Sequence, residues 1–323
     1  MANSLKNIPK EILWPFIVEL REIVKSNFQN IEFIVIIFRE DEYTFFLNEI
    51  PPLSNDDKIL AIALKRELKF HLKSTLFLMD DHYALYLTRN ELLAAETIDF
   101  LVSYLPFCFI PIKAFHLKRT VTLLHFAQTL DGRIAANNGH SKWIGNEENL
   151  IHAHRLRALF DGILIGSNTL EADKPRLNVR LVKGPNPTKV VIGNNSCKFE
   201  SLLENQGKVI FVTSGKDIHN NGIETIYIPK VLNKINPEII LQELYKRGIC
   251  SLFIEGGAYT ASSFLSAKSI DLLQLFISPK ILGSGIASFS LQEITHINDS
   301  IQFSSRDFKP MGDGMLFSGE INY

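Results

Sequence analysis

The chain has 323 residues, 46% hydrophobic and 21% charged, a composition that permits a large buried core and a length that favours two domains. A formal net charge of -1 excludes the basic balance of a nucleic-acid binder, so no nucleic-acid partner is expected. The three cysteines, Cys108, Cys197 and Cys250, include no pair at ligand spacing, which excludes a disulfide framework and a zinc site and fits a reducing cytoplasm.

The amino terminus is polar where an export signal needs an apolar core. Residues 11–27 have helical spacing, and residues 31–38 and 43–47 read as strands joined across the charged turn 39–42. The same order then recurs, with helical periodicity over 56–73, strands at 75–79 and 83–88, and a helix over 91–104. This predicts a small α+β module over residues 1–115, with a faint internal echo but no residue-level repeat. Asp80-Asp81-His82 reads as a solvated hairpin turn, and His71 as a partly exposed histidine near a helix C-terminus. The most apolar run, 105–112, is interrupted by Pro106 and Pro111 and is far short of the roughly 20 residues a bilayer span requires. It reads as a buried strand or linker, and no membrane partner is expected.

From about residue 120 short strands alternate with helices. Strands are expected at 120–127, 163–166, 189–192, 209–213, 250–254 and 272–278, with helices at 147–160, at 237–247 and after Gly257. This alternation predicts an α/β domain over residues 118–323, with a largely parallel central sheet flanked by helices. Ligands of such sheets sit beyond the carboxyl ends of the strands.

Several residues at such positions could carry chemistry. Glu255-Gly256-Gly257 joins a strand to a helix whose first backbone amides could receive a phosphate, with Thr260, Ser262 and Ser263 adding hydroxyls; close helix–sheet packing is the rival explanation. Trp143, in a loop bounded by Gly139 and Gly145, could stack on a flat ring or cover the edge of a core. On the helix that follows, Leu150, Ala153, His154, Arg157 and Ala158 share one face. An inward Arg157 must pair with an internal carboxylate or reach an anionic ligand. His154 reads as a packing residue and His152 as solvated; the two are no zinc pair, because i and i+2 on a helix point apart. Segment 167–180 is either a solvated loop or a site in which Asp173 orients a reacting group and Arg180 clamps a phosphate.

Together these stretches resemble the reductase domain of riboflavin biosynthesis, a family with a dihydrofolate-reductase-like fold often fused behind a pyrimidine deaminase. The segments that carry the resemblance begin with Ala127-Gln128-Thr129-Leu130-Asp131-Gly132-Arg133-Ile134-Ala135, Ser141-Lys142-Trp143-Ile144 and Leu156-Arg157-Ala158. They continue with Asp161-Gly162-Ile163-Leu164-Ile165-Gly166, Ala172-Asp173-Lys174-Pro175-Arg176-Leu177, Ile254-Glu255-Gly256-Gly257-Ala258 and Ser278-Pro279-Lys280-Ile281-Leu282-Gly283. Their order and spacing agree over about residues 118–321.

The resemblance implies NADPH-dependent reduction of the ribosyl group of 5-amino-6-(5-phosphoribosylamino)uracil to a ribityl chain. It assigns Ala127, Trp143, Thr169, Asp173, Asn194 and the turn Gly257-Ala258-Tyr259-Thr260-Ala261-Ser262-Ser263 to NADPH. Ser141, Arg157, Leu177, Arg180 and Glu255 fall to the substrate, and Asp173, Glu255 and His125 to catalysis. His125 stands where the family has a lysine thought to help with protons, and an imidazole can also donate one near neutral pH. Lys174 replaces the second acid of the usual Asp-Asp-Pro, and Gly193 an aspartate at the end of the 189–192 strand. The resemblance also implies a homodimer. The His-Ala-Glu and Pro-Cys-x-x-Cys strings of the usual deaminase do not occur, so a separate deaminase is expected to supply the phosphorylated pyrimidine. Two alternatives stand beside this reading: a related reductase of a pterin or other pyrimidine, and a non-catalytic nucleotide-binding assembly protein.

Overall fold

The computed structural model describes residues 7–323 apart from 40–41, 55–56, 66–73, 91, 194–196, 205–206, 216–221 and 232–233. The chain divides into two compact units, residues 1–116 and 117–323.

The first unit contains α1 (Lys10–Asn27), β1 (Phe33–Arg39), β2 (Glu42–Leu47), β3 (Lys58–Ala63), β4 (Thr75–Met79), β5 (Leu85–Arg89), α2 (Ala95–Cys108) and α3 (Ile110–Leu117). α1 follows its apolar spacing and buries Leu13, Phe16, Ile17, Leu20 and Val24. The strands form one sheet in the order β2-β1-β3-β4-β5, with β3 and β4 parallel and the other neighbours antiparallel.

Two expectations fail here. The helix expected over 56–73 opens instead as strand β3, whose residues 59–63 are all buried. A short run that is apolar on both faces of a sheet has no period by which to separate strand from helix. The remainder of that span, with His71, lies outside the described residues. The run 105–112 is helical, divided between α2 and α3. Pro111 is the second residue of α3, where a helix has no use for the missing N–H, and Pro106 falls in the last turn of α2. Residues 95–117 are long and apolar enough for a membrane span by length and composition alone, but most of the stretch is buried in the protein. Asp80 closes the β4–β5 turn by accepting hydrogen bonds from the N–H groups of His82 and Ala84, a structural role.

The second unit runs through β6 (Val121–Thr129), β7 (Arg133–Ala135), α4 (Glu147–Leu159), β8 (Gly162–Gly166), α5 (Ser167–Asp173), β9 (Thr188–Gly193), α6 (Glu200–Leu203), β10 (Val209–Thr213) and β11 (Glu224–Tyr227). It continues with α7 (Pro237–Lys246), β12 (Ser251–Ile254), α8 (Ala258–Ser266), β13 (Leu272–Ser278), β14 (Ile286–Ala287), β15 (Gln302–Met311) and β16 (Gly314–Asn322). The main sheet has the order β11-β10-β9-β8-β12-β6-β13-β16-β15. It is parallel from β11 to β13 and antiparallel in the closing hairpin β15–β16, which the sequence reading did not anticipate.

Local signals explain the helix starts. The side chain of Asn146 accepts a hydrogen bond from the N–H of Asn149 and caps α4; Asn236 does the same for α7, with Pro237 in the first position. Ile240, Leu241 and Leu244 of α7 join Ala261, Phe264 and Leu265 of α8 in a core with Leu124, Leu164, Val190, Ile210 and Leu252 of the sheet. Because the strands from β11 to β13 are parallel, their carboxyl ends lie along one edge, and the candidate site forms there.

Candidate active site

A cavity of about 990 Å³ opens along that edge. Its wall takes Ala127 from the end of β6, Ser141 from the loop after β7, Thr169 and Asp173 from α5, and Glu255 from the end of β12. The start of α8 completes it with Gly257, Ala258, Tyr259, Thr260 and Ser263. The structure thus brings ten of the expected residues to one surface.

Close backbone approach shapes this wall. A Cβ on Gly256 would lie 2.7 Å from the Cα of Ile165, so only glycine lets the turn after β12 lie against β8. Gly257 has φ +44°, a left-handed conformation that glycine adopts readily, and a Cβ there would meet the Thr169 hydroxyl at 2.9 Å. The turn can therefore present the first N–H groups of α8 to a ligand phosphate.

Behind the wall lies a cluster of cations. Arg157 on α4 is paired with Glu255 through two parallel hydrogen bonds, Nε to Oε1 at 2.6 Å and Nη2 to Oε2 at 2.9 Å. Its Nη1 donates to the carbonyl of Asn178 at 3.2 Å. The question left by the sequence, an internal carboxylate or an anionic ligand, is answered in this structure by the carboxylate. Arg180 keeps its guanidinium on Asn178 Oδ1, and its pKa is depressed first by partial burial and then by the charges of Arg157 and Arg176. Arg157 and Arg180 thus lie near one carboxylate, with Arg176 close enough to Arg180 to repel it.

His154, fully buried, ties this cluster together: its Nδ1 accepts the N–H of Arg180 at 3.1 Å. Burial, followed by the charges of Arg157 and Arg180, pushes its pKa down to about 4 and keeps the ring neutral. Asp173 shifts the other way, its pKa raised by loss of water around the carboxyl.

Several expected residues are not on the cavity wall. Trp143 is 81% exposed, with φ +70°, and its carbonyl accepts a hydrogen bond from Lys280 Nζ at 2.6 Å. Leu177 is buried with φ +50°, where it helps turn the 174–180 loop rather than line the cavity. Arg157 and Arg180 stand behind the wall, and Ala261 and Ser262 point into the packing of α8. The Ser262 hydroxyl is used structurally, donating to the Ala258 carbonyl and accepting the N–H of Ser290. Asn194 lies outside the described residues.

His125 requires a correction. Side chains two apart on a strand share a face, so Ala127 opens to the cavity while His125, further back, is covered by α4 and is 3% exposed. Its Nδ1 lies 3.3 Å from the Gln274 carbonyl, and its ring stands edge-on to His152 at 5.3 Å. His152 is likewise buried rather than solvated, with Nε2 2.9 Å from Gln274 Oε1. Burial pushes His125 down to about 4; burial and then His125 push His152 down to about 3. A neutral ring walled off from the cavity is no ready proton donor.

This pair predicts a pH dependence. Both folded-state pKa values lie below the ordinary 6.5, so the stabilisation is complete above that pH and is lost as pH falls towards 4 and 3. The unfolding free energy from urea titration should fall between pH 6.5 and pH 4, by on the order of 5 kcal/mol for the pair. Replacing His152 by glutamine should flatten that dependence, and an unchanged slope would contradict it.

Comparison with known proteins follows the same division of the chain. Residues 120–317 match the family model described as the RibD C-terminal domain. The chain is 29% identical over 208 residues to the riboflavin biosynthesis protein RibD of Aquifex aeolicus, a match covering 62% of this chain and 57% of that protein. It is 28% identical over 220 residues to the chloroplastic riboflavin biosynthesis protein PYRR of Zea mays, covering 64% of this chain and 34% of that one. The chain therefore spans less than two thirds of the length of these relatives.

Among solved structures, its fold is similar to that of a diaminohydroxyphosphoribosylaminopyrimidine deaminase/5-amino-6-(5-phosphoribosylamino)uracil reductase from Thermotoga maritima. The TM-score is 0.62 at 21% identity, covering 96% of this chain and 100% of that chain, so the likeness in fold reaches well into the first unit. Rib7, the riboflavin biosynthesis reductase of Saccharomyces cerevisiae, gives a TM-score of 0.54 at 22% identity, covering 64% of this chain and 91% of that one.

Proposed function

The chain belongs to the RibD C-terminal domain family, and from that premise we propose that its second unit reduces the ribosyl group of 5-amino-6-(5-phosphoribosylamino)uracil to the ribitylamino product, using NADPH in riboflavin biosynthesis. The observation that carries this reading is the union, at one sheet edge, of a glycine-built helix start with a cluster of three arginines, of which Arg157 is paired with the carboxylate of Glu255. A helix start of that kind suits the phosphates of a dinucleotide, and an excess of positive charge suits a sugar phosphate.

The residues present fit the cofactor. Gly257, Ala258 and Thr260 would hold its phosphates, and Ala127, Thr169 and Asp173 would lie along the rest of it. NADPH, when bound, supplies the hydride that goes to the sugar carbon of the opened imine. The chain's own residues exclude water, orient the two ligands and manage one proton. We assign that proton, delivered to the imine nitrogen, to Asp173, the cavity carboxyl whose raised pKa favours holding it. Glu255 is engaged by Arg157 and sets the position of that guanidinium, while Arg180 and Ser141 fall to the substrate side.

The sequence lacks the strings of the deaminase zinc site, so the same reading has another chain perform the deamination. It further takes the protein to act in the cytoplasm as a homodimer. Purified protein given NADPH and the deaminated pyrimidine ribotide should consume NADPH and yield the ribitylamino product by mass spectrometry. Absence of turnover with both at saturation would sink the proposal.

Arg180 offers a finer test, because its charge is not neutralised by a carboxylate of its own. Arg180→Ala should raise KM for the ribotide by roughly 10- to 100-fold, leaving the Kd for NADPH within about twofold. Equal losses for both ligands would place Arg180 in a shared scaffold instead.

A further inference from the structure

Beyond β11 the chain doubles back in a short bridge, with the N–H of Val231 donating to the carbonyl of Lys234 at 2.9 Å and the N–H of Lys234 to that of Val231 at 3.0 Å. Lys230, just before this bridge, and Lys234, within it, both line the cavity, where among the described residues they are the only cations. Neither has an ion pair among the described residues. The carboxylates of the wall, Asp173 and Glu255, belong to the α5 and β12 sector.

Distance along the sheet separates the two sectors. β11 is the third strand out from β8, and adjacent strands lie about 4.8 Å apart, so the lysine bridge follows a strand roughly 14 Å from β8. Ile192, Ile235, Ile240 and Phe264 also line the cavity and offer an apolar surface for a flat ring. The pyrophosphate of a dinucleotide has its amides at Gly257–Thr260, where α8 begins beside β8 and β12. Two cations farther along the edge are placed to receive a second, separate anion.

We propose that Lys230 and Lys234 form the subsite for the 2′-phosphate of the cofactor's adenosine ribose and thereby select NADPH over NADH. The proposal rests on the NADPH reading above and adds the residues that read the phosphate. A phosphomonoester is dianionic near neutral pH and can engage both lysines, while NADH presents only an uncharged hydroxyl there.

Binding can be measured by titration calorimetry, without turnover, on the wild-type chain and a Lys230→Gln/Lys234→Gln variant, using NADPH, NADH, 2′,5′-ADP and 5′-ADP. The expected result is a roughly 10- to 100-fold weaker Kd for NADPH and 2′,5′-ADP in the variant, with NADH and 5′-ADP changed less than about twofold. Both lysines are exposed, so the unfolding midpoint should not move. Equal weakening of NADPH and NADH would put the lysines on the pyrophosphate and overturn the assignment, as would unchanged affinity for all four ligands. Wild-type protein that binds neither dinucleotide would overturn the NADPH reading along with it; NADPH binding that ignores the lysines would overturn the subsite alone.

Discussion

Glu255→Ala is expected to cost about 3 kcal/mol of stability and at least roughly 100-fold in kcat/KM, a loss larger than that of an ordinary surface ion pair. The cost comes from what remains behind. Arg157 has a side chain only 10% exposed, and without the carboxylate its guanidinium keeps only the Asn178 carbonyl as a good acceptor. The neutral His154 cannot replace the lost charge, and Arg180 adds repulsion. Glu255→Gln, which retains an acceptor but not the charge, should lie between wild type and alanine.

Added inorganic phosphate should recover part of the lost stability in Glu255→Ala, because an anion can then enter beside Arg157 and Arg180. It should do much less for the wild type, where the carboxylate already occupies Arg157. Urea titration with and without phosphate reads both effects. A Glu255→Ala protein that unfolds at the wild-type midpoint would show that the pair contributes nothing.

Gly256→Ala is the second large effect, and its origin is space. The new Cβ would stand 2.7 Å from the Cα of Ile165 and 3.1 Å from the N of Gly166, both backbone atoms that cannot rotate away. Strand β8 or the turn after β12 must therefore shift, at a cost of about 2–3 kcal/mol. The shift carries Gly257 and the start of α8 with it, so NADPH affinity should fall by roughly tenfold or more. Gly257→Ala is the contrasting control: its clash is with the hydroxyl of Thr169, the end of a side chain, and its strain lies in the backbone at φ +44°. Its stability loss should be smaller than that of Gly256→Ala, and the reverse order would contradict this account of the turn.

Most parallel strands of the second unit were legible because they are short apolar runs bounded by polar turns and helices, the pattern of a covered sheet, whereas the half-polar edge strand β11 was not anticipated. The failures had different causes. β3 has no period, Pro111 sits in the first turn of α3 where no N–H is needed while Pro106 falls in the last turn of α2, and His152 looked solvated because only one face of α4 was taken as inward. α4 is in fact buried on two sides: His152 faces Gln274 of the sheet, while His154 and Arg157 lie under the 178–180 loop. Lys230 and Lys234 were missed because a lysine on each side of a turn looks like any solvated pair until the fold places it on the cavity wall.

Two matched segments show why a motif's residues can be read before their roles. Asp131 accepts hydrogen bonds from the Thr129 hydroxyl and from the N–H groups of Leu282 and Gly283, which hold its pKa down to about 2 and fasten the loop after β6 to the one after β13. Asp161 accepts the N–H groups of Cys250 and Ser251 and fixes the start of β12 beside β8. Both aspartates belong to the family pattern, and both are used to join distant strands.

By itself the sequence determined the α/β class, the residues available for chemistry and the glycine pair at the β12–α8 turn, because these follow from local period, residue type and the order of motifs. Only the tertiary structure decided which of those residues meet. Pairing Glu255 with Arg157, burying His125 beneath α4 and adding two lysines to the cavity depend on contacts between segments far apart in the chain, which local periodicity does not encode.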